Sequence, residues 1–214
     1  MPRKNLIKTN EFHYHITSRS NNKEWFHLPI YQVWDYSLQS MELAYNKHKV
    51  EICAFVLMKN HYHLLLKTPE LNIDKFMYEF NKQLSKKIRK TSNRINHVFG
   101  GRYRWSIIDN EKYFYQVLKY IYLNPVKCGE VSSAETYPYS TLFIIWNNKN
   151  FVVPLTHDYT KFMDSNDITT FINWINQNFE KKNHYETIKK GLKHSIFTIS
   201  QLRESSERKN FSHY

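Results

Sequence analysis

Glycine is scarce in this chain, with 4 in 214 residues, and none stands in a phosphate-binding loop or a dinucleotide fingerprint. Glycine-rich β architectures and glycine-loop nucleotide sites are thereby excluded. Cysteine is scarcer still: Cys53 and Cys128 lie far apart and match no zinc or thiol-redox spacing. Such sparing use predicts a reducing, cytoplasmic setting. No run of 18 apolar residues exists, and the basic start MPRKNLIKTN carries no apolar stretch of a signal peptide. Neither a membrane span nor secretion is expected. Acidic residues are the minority, 19 against 31 Lys plus Arg.

What the chain has is positive charge and aromatic rings. A net charge of +12 and a pI near 9.5 draw a protein toward polyanions, most often nucleic acid. The plain alternative is a folded protein with a basic surface. The 16 tyrosines and 14 phenylalanines, interleaved with Lys and Arg, suit stacking on unpaired bases and favour the first reading. With 41% hydrophobic residues in 26.1 kDa, the chain can bury a core in one or two domains.

Residues 11–18 alternate Phe12, Tyr14 and Ile16 against His13, His15 and Thr17, which predicts a half-buried strand. From Pro29 to Lys47, Ile30, Val33, Trp34, Leu38, Met41 and Tyr45 recur at helical spacing. EICAFVLM (51–58) and HYHLLLK (61–67) read as a hairpin joined by a tight turn. Helical spacing returns over 72–90, where Ile73, Phe76, Met77, Phe80, Leu84 and Ile88 share a face. RYRWSIID (102–109) reads as a fourth strand, and 111–124 as a helix stopped by Pro125. The order β-α-β-β-α-β predicts an α+β, ferredoxin-like fold. Two helices cover one face of an antiparallel sheet, and the extra helix helps close a site on the other.

Past residue 131 the texture changes. Ile168, Phe171, Ile172, Ile175 and Phe179 form a helical stripe behind a capping Asp167, and 180–194 reads as a basic helical segment ending near Gly191. The expectation is a catalytic unit over 1–131 and a basic, partly helical extension over 132–214.

His-Tyr-His occurs twice, at 13–15 and 61–63. On a strand, residues i and i+2 face the same way, so each pair could aim two imidazoles at one cation. Polar surface or a hydrogen-bonded core pair is the commoner meaning of such a pair, and spacing does not choose between the copies. On the helix 111–124, Tyr120 lies one turn before Asn124 and one turn after Gln116. A phenol beside a hard amide oxygen could face a two-histidine metal site, or the two could be a core tyrosine and a capping asparagine. At about 100° per residue, Tyr115 and Tyr122 point away from Asn124, and Tyr113 is about 10 Å further along the axis than Tyr120.

LMKNHYHLLLKTP resembles the His-hydrophobe-His motif of HUH-type single-strand DNA endonucleases. YIYLNPVKCGEV resembles the Tyr-Ile-x-x-Asn-Pro-Val-Lys block of the REP-associated tyrosine transposases, a branch of the single-tyrosine transposases. YHITSRSNNKEWF and YPYSTL are similar to that branch's first strand and its post-catalytic segment, so the likeness spans 12–145. Tyr62, between the histidines, is bulkier and more polar than the usual hydrophobe. The resemblance implies His61 and His63 as metal ligands, Asn124 as the third, and Tyr120 as nucleophile. It also implies Mg²⁺ or Mn²⁺, a 5′-phosphotyrosine intermediate, and hairpin-forming single-stranded DNA as substrate, in a monomer or homodimer. His13 and His15 receive no role from it; at a neighbouring strand they border the site. Arg19, Arg102, Arg104, Lys82, Lys86, Lys87, Arg89 and Lys90, with His13 and His15, are the candidate DNA contacts. A non-catalytic nucleic-acid binder on the same fold is the competing expectation. A metal hydrolase barrel lacks the repeated βα units it would need.

Overall fold

β1 (His13–Arg19), α1 (Ile30–Lys47), β2 (Glu51–Met58), β3 (His61–Lys67), α2 (Ile73–Ser92), β4 (Arg104–Ile108) and α3 (Glu111–Lys127) follow one another in the predicted order. These come from a computed structural model that describes residues 5–156, 167–177 and 183–199. Beyond them lie α4 (Thr141–Trp146), α5 (Ile168–Asn176) and α6 (His184–Gly191). Phe179, placed by its spacing on the α5 stripe, and residues 180–182 of the basic segment fall outside the described residues.

The sheet order is β2-β3-β1-β4 with every pair antiparallel, the ferredoxin-like arrangement. Alternation decides which side chains go where. Tyr14, Ile16, Tyr62, Leu64, Leu66, Trp105 and Ile107 pack against α1 and α2 through Trp34, Met41, Phe76 and Phe80. Leu65 and Ile108 point to the opposite layer, where Val117, Leu118 and Ile121 of α3 and Phe171 and Ile175 of α5 cover them. β2 is buried on both faces. A bulge at Cys53 shifts its register and puts Cys53 and Ala54 both on the α3 side.

α3 does not stop before Pro125; it runs through to Lys127. A proline cannot donate to the carbonyl one turn back, which leaves the Ile121 oxygen short of a partner. The Asn124 side chain supplies one, its Nδ2 lying 3.3 Å from Ile121 O and 2.8 Å from Tyr120 O. With the apolar stripe from Phe114 to Leu123 buried, the helix is held across the proline.

Chain beyond 131 covers both sheet edges, which would otherwise offer unpaired backbone groups. At β2, Tyr139 O accepts from Leu57 N at 2.9 Å, and Thr156 N donates to Ile52 O at 3.0 Å. YPYSTL thus lines this edge, with Tyr137 Oη donating to Leu57 O and Thr141 Oγ1 accepting from Phe55 N. At β4, Ile107 N donates to Ser195 O and Phe197 N to Ile107 O, each at 2.8 Å. Lys119 of α3 ties in α5 through a 2.7 Å bond to Trp174 O.

Gly191 lets the last segment turn back, because a Cβ there would meet Thr198 O at 2.7 Å and the Phe197 ring at 2.8 Å. Gly191→Ala is expected to cost about 1–3 kcal/mol and to loosen the 195–197 edge. The check is hydrogen exchange at the Ile107 and Phe197 amides, which should accelerate; unchanged protection would contradict the packing.

Candidate active site

Across the α3-facing side of the sheet, register sets a small lattice of polar residues. His61 lies opposite Arg19, and His63 opposite Thr17, which in turn faces Arg104. One row further, His15 sits between Leu65 and Ser106. The rings of His61 and His63 are 5.0 Å apart, and His15 stacks on His63 at 5.1 Å. Tyr120 stands edge-on above His63 at 5.7 Å and His15 at 6.3 Å. Two strands and a helix therefore bring three histidines and one tyrosine together.

Hydrogen bonds orient the two candidate ligands. Asn60 Nδ2 donates to Lys23 O at 2.6 Å, which turns its Oδ1 toward His61. That oxygen can only accept, so His61 Nδ1, 2.8 Å away, carries the proton and Nε2 keeps a lone pair. His63 Nδ1 is 2.8 Å from His15 Nε2, and its own Nε2 is buried without a partner among the described residues. Gln116 Oε1 and Ser106 Oγ, the latter in register with His15, are likewise buried and unpartnered. Unmatched buried polar atoms cost about 1–3 kcal/mol each, so a concentration of them marks a place built for something else.

Burial keeps the imidazoles neutral, the form that binds metal. His61 is held down at about 4 by desolvation, with the Arg19 charge adding to it, and His15 at about 3 by desolvation, while His63 lies well below its ordinary value chiefly for the same reason. Burial also pushes the Tyr120 phenol up to about 12, against the opposing pull of a hydrogen bond with Tyr185. It is a protonated phenol at neutral pH.

Tyr185, from α6, is a member of the site that no spacing in the sequence indicates. Its ring lies 4.7 Å from that of Tyr120, and its hydroxyl donates to Asn124 Oδ1 at 2.8 Å. Asn124 is thus fixed at both ends, its nitrogen on helix carbonyls and its oxygen beside the Tyr120–Tyr185 pair. Asn60 was the other omission; as a turn residue directly before His61 it was within reach.

A metal ion held by these residues would need a mixed donor set. No three His, Cys, Asp or Glu side chains among the described residues could hold an ion together. Two imidazole nitrogens with the Asn124 amide oxygen would make such a set, of a kind open to several divalent cations.

The candidate DNA contacts divide. Arg19 and Arg104 are exposed on the α3 side, and Arg19 is close enough to bear on His61, His63 and Tyr120. Lys82, Lys86, Lys87, Arg89 and Lys90 ride on α2, behind the sheet, and Lys87 Nζ is bonded to Gln39 Oε1 at 2.7 Å. Arg102 and Lys82 share a separate groove of about 430 Å³ with the exposed Tyr78. His13 packs on Phe114 at the far end of β1, in a cavity lined by Glu11, Glu51, Asp109 and Glu111. Among the described residues no helix is long and apolar enough to cross a membrane.

Residues 8–124 match the family described as "Transposase IS200 like". A protein of Haemophilus influenzae, provisionally named REP-associated tyrosine transposase, is 30% identical over 102 residues, which cover 42% of this chain and 58% of that relative. The chain therefore spans under two thirds of that relative's length. A solved REP-associated tyrosine transposase bound to a REP hairpin overlays with a TM-score of 0.56 at 20% identity, covering 74% of this chain and 95% of the other. It has the same fold.

Stability should fall in acid. Below 6.5, the unfolded chain takes up protons that His61 and His15 refuse until about 4 and about 3. Their contribution is complete above that value and is lost as pH drops toward the folded values. Urea melts at about pH 7.5 and about pH 5 should show a lower midpoint at the acid value; identical midpoints would contradict the burial of these rings.

Proposed function

The chain belongs to the IS200-like transposase family, whose activity is DNA cleavage and transposition, and on that premise we propose that Tyr120 is its nucleophile and that its substrate is single-stranded, hairpin-forming DNA. The observation that carries this reading is the stack at the centre of the site. A buried tyrosine, 4% exposed, stands over a histidine whose buried Nε2 has no partner among the described residues. Residues 1–131 act as the catalytic unit, and the extension over 132–214 contributes Tyr185.

His61, His63 and Asn124 hold the cation. Bound there, Mg²⁺ or Mn²⁺ supplies Lewis-acid polarisation of the scissile phosphate and stabilises the leaving 3′ oxygen. Arg19, in the row of His61, and Arg104, in the row of His63, hold backbone phosphates of the strand. Tyr120 Oη attacks the phosphorus and loses its proton as it does so. The bond to the 3′ oxygen breaks, and that oxygen leaves as a hydroxyl. The product is a covalent 5′-phosphotyrosine. Phosphodiester energy is conserved in that link, so attack by another 3′-OH rejoins the strand elsewhere. The hairpin in the substrate follows the solved relative, which is bound to one, and the net charge of +12 suits it.

A binding-only role is the second reading. What favours it is the close cover of Tyr185 over Tyr120.

Incubation with labelled single-stranded hairpin DNA and Mn²⁺ should give a covalent adduct on a denaturing gel. Tyr120→Phe should abolish the adduct and keep DNA binding, because only one oxygen is removed. His61→Ala or His63→Ala should lower cleavage by about 10–100-fold or more. An adduct that persists in Tyr120→Phe overturns the assignment, and binding with no adduct in the wild type favours the second reading.

DNA affinity should drop steeply with salt as phosphate contacts release counterions. Arg19→Ala and Arg104→Ala should each weaken binding and flatten that salt slope, whereas Lys86→Ala, behind the sheet, should change it less. An Lys86→Ala effect as large as that of Arg19→Ala would place the DNA path on the α2 face.

A further inference from the structure

The first His-Tyr-His copy has so far been given no task. We propose that His15 is a positioning residue, which accepts a hydrogen bond from His63 Nδ1 and so presents the His63 Nε2 lone pair to the cation; this rests on the metal reading above. His15 and His63 are 3% and 5% exposed, and their rings are stacked with an interplanar angle of 26°. The bond between them is 2.8 Å and buried.

A neutral imidazole has one proton to place. With it on Nδ1, Nε2 is a ligand; with it on Nε2, the same ring offers a donor that no metal can use. His61 shows the pattern completed, since Asn60 Oδ1 takes its Nδ1 proton and leaves Nε2 free. His63 has no asparagine beside it. The one acceptor at its Nδ1 is the His15 ring, reached diagonally because Thr17, not His15, lies directly opposite His63. His15 then carries its own proton on Nδ1. Tyr120, edge-on to both rings, leaves little freedom for either to flip. The two orienting groups differ in chemistry and come from different elements, the β2–β3 turn and β1, yet they act on equivalent atoms of the two ligands. The repeated motif thus has a division of labour: one copy binds, and the last residue of the other orients.

Mn²⁺ affinity of the metal-free protein, without DNA, tests this through the free-ion signal in electron paramagnetic resonance, with thermal melts in parallel. His15→Phe keeps a ring but removes the acceptor and should weaken Mn²⁺ binding by about 10–100-fold. His15→Gln, whose amide oxygen can accept from Nδ1–H, should recover part of that loss. A folded His15→Phe protein that binds Mn²⁺ as tightly as wild type, while His63→Ala does not, overturns the inference and leaves the metal reading intact. A wild type that binds no Mn²⁺, or binds it equally after His63→Ala, overturns the metal reading itself. Should His15→Phe not fold, imidazole nitrogen spectra of the wild type decide. Protons on Nδ1 of both rings support the proposal, and a proton on His15 Nε2 overturns it.

Discussion

The register of β1 against β3 is the constraint on which everything else depends. Side chains alternate with a period of two, so a slip of one residue would turn every histidine of β1 to the α1–α2 side and bring Tyr14 and Ile16 to face α3. What prevents the slip is the apolar set on the back of the same strands. Tyr14, Ile16, Tyr62, Leu64 and Leu66 are all fully buried against α1 and α2. The polar face needs no cohesion of its own. Its histidines are held in place by hydrophobic residues one position away, which explains why a bulky Tyr62 between the ligands is harmless: it belongs to the other layer, where its hydroxyl donates to Asn81 Oδ1 at 2.8 Å.

Burial then does chemical work. Enclosing the rings under α3 keeps them unprotonated and leaves His63 Nε2 buried with no partner among the described residues, which a bound cation would supply. The same enclosure raises the phenol of Tyr120, which makes it a weak nucleophile until its proton is drawn off. A positive charge beside that oxygen counters the cost. Arg19 already acts in that direction from the end of β1. The site is accordingly arranged to gain reactivity when a phosphate and a cation arrive together.

Much of this was legible in the sequence. Period-two alternation indicated β1, two short apolar runs joined by a tight turn indicated the β2–β3 hairpin, and helical spacing indicated α1, α2 and most of α3. The placement of Tyr120 and Asn124 one turn apart followed from helix geometry alone. One error has a physical cause. Pro125 reads as a stop, and the helix continues because the Asn124 side chain meets the carbonyl that proline leaves unpaired, a tertiary remedy that local rules do not contain. The lysines of α2, expected among the DNA contacts from their charge, lie behind the sheet, away from the histidines. The role of Tyr185 could not have been read at all. It depends on α6 returning to Asn124 from 61 positions further along the chain, and no periodicity encodes that.

The central claim is that His61 Nε2 and His63 Nε2 converge on one cation beneath Tyr120. Anomalous diffraction from crystals grown with Mn²⁺ tests it most directly. The account predicts a single strong peak in contact with both Nε2 atoms and within reach of the Asn124 amide oxygen. A peak instead among the carboxylates of Glu11, Glu51, Asp109 and Glu111 near His13, with none between His61 and His63, would contradict it.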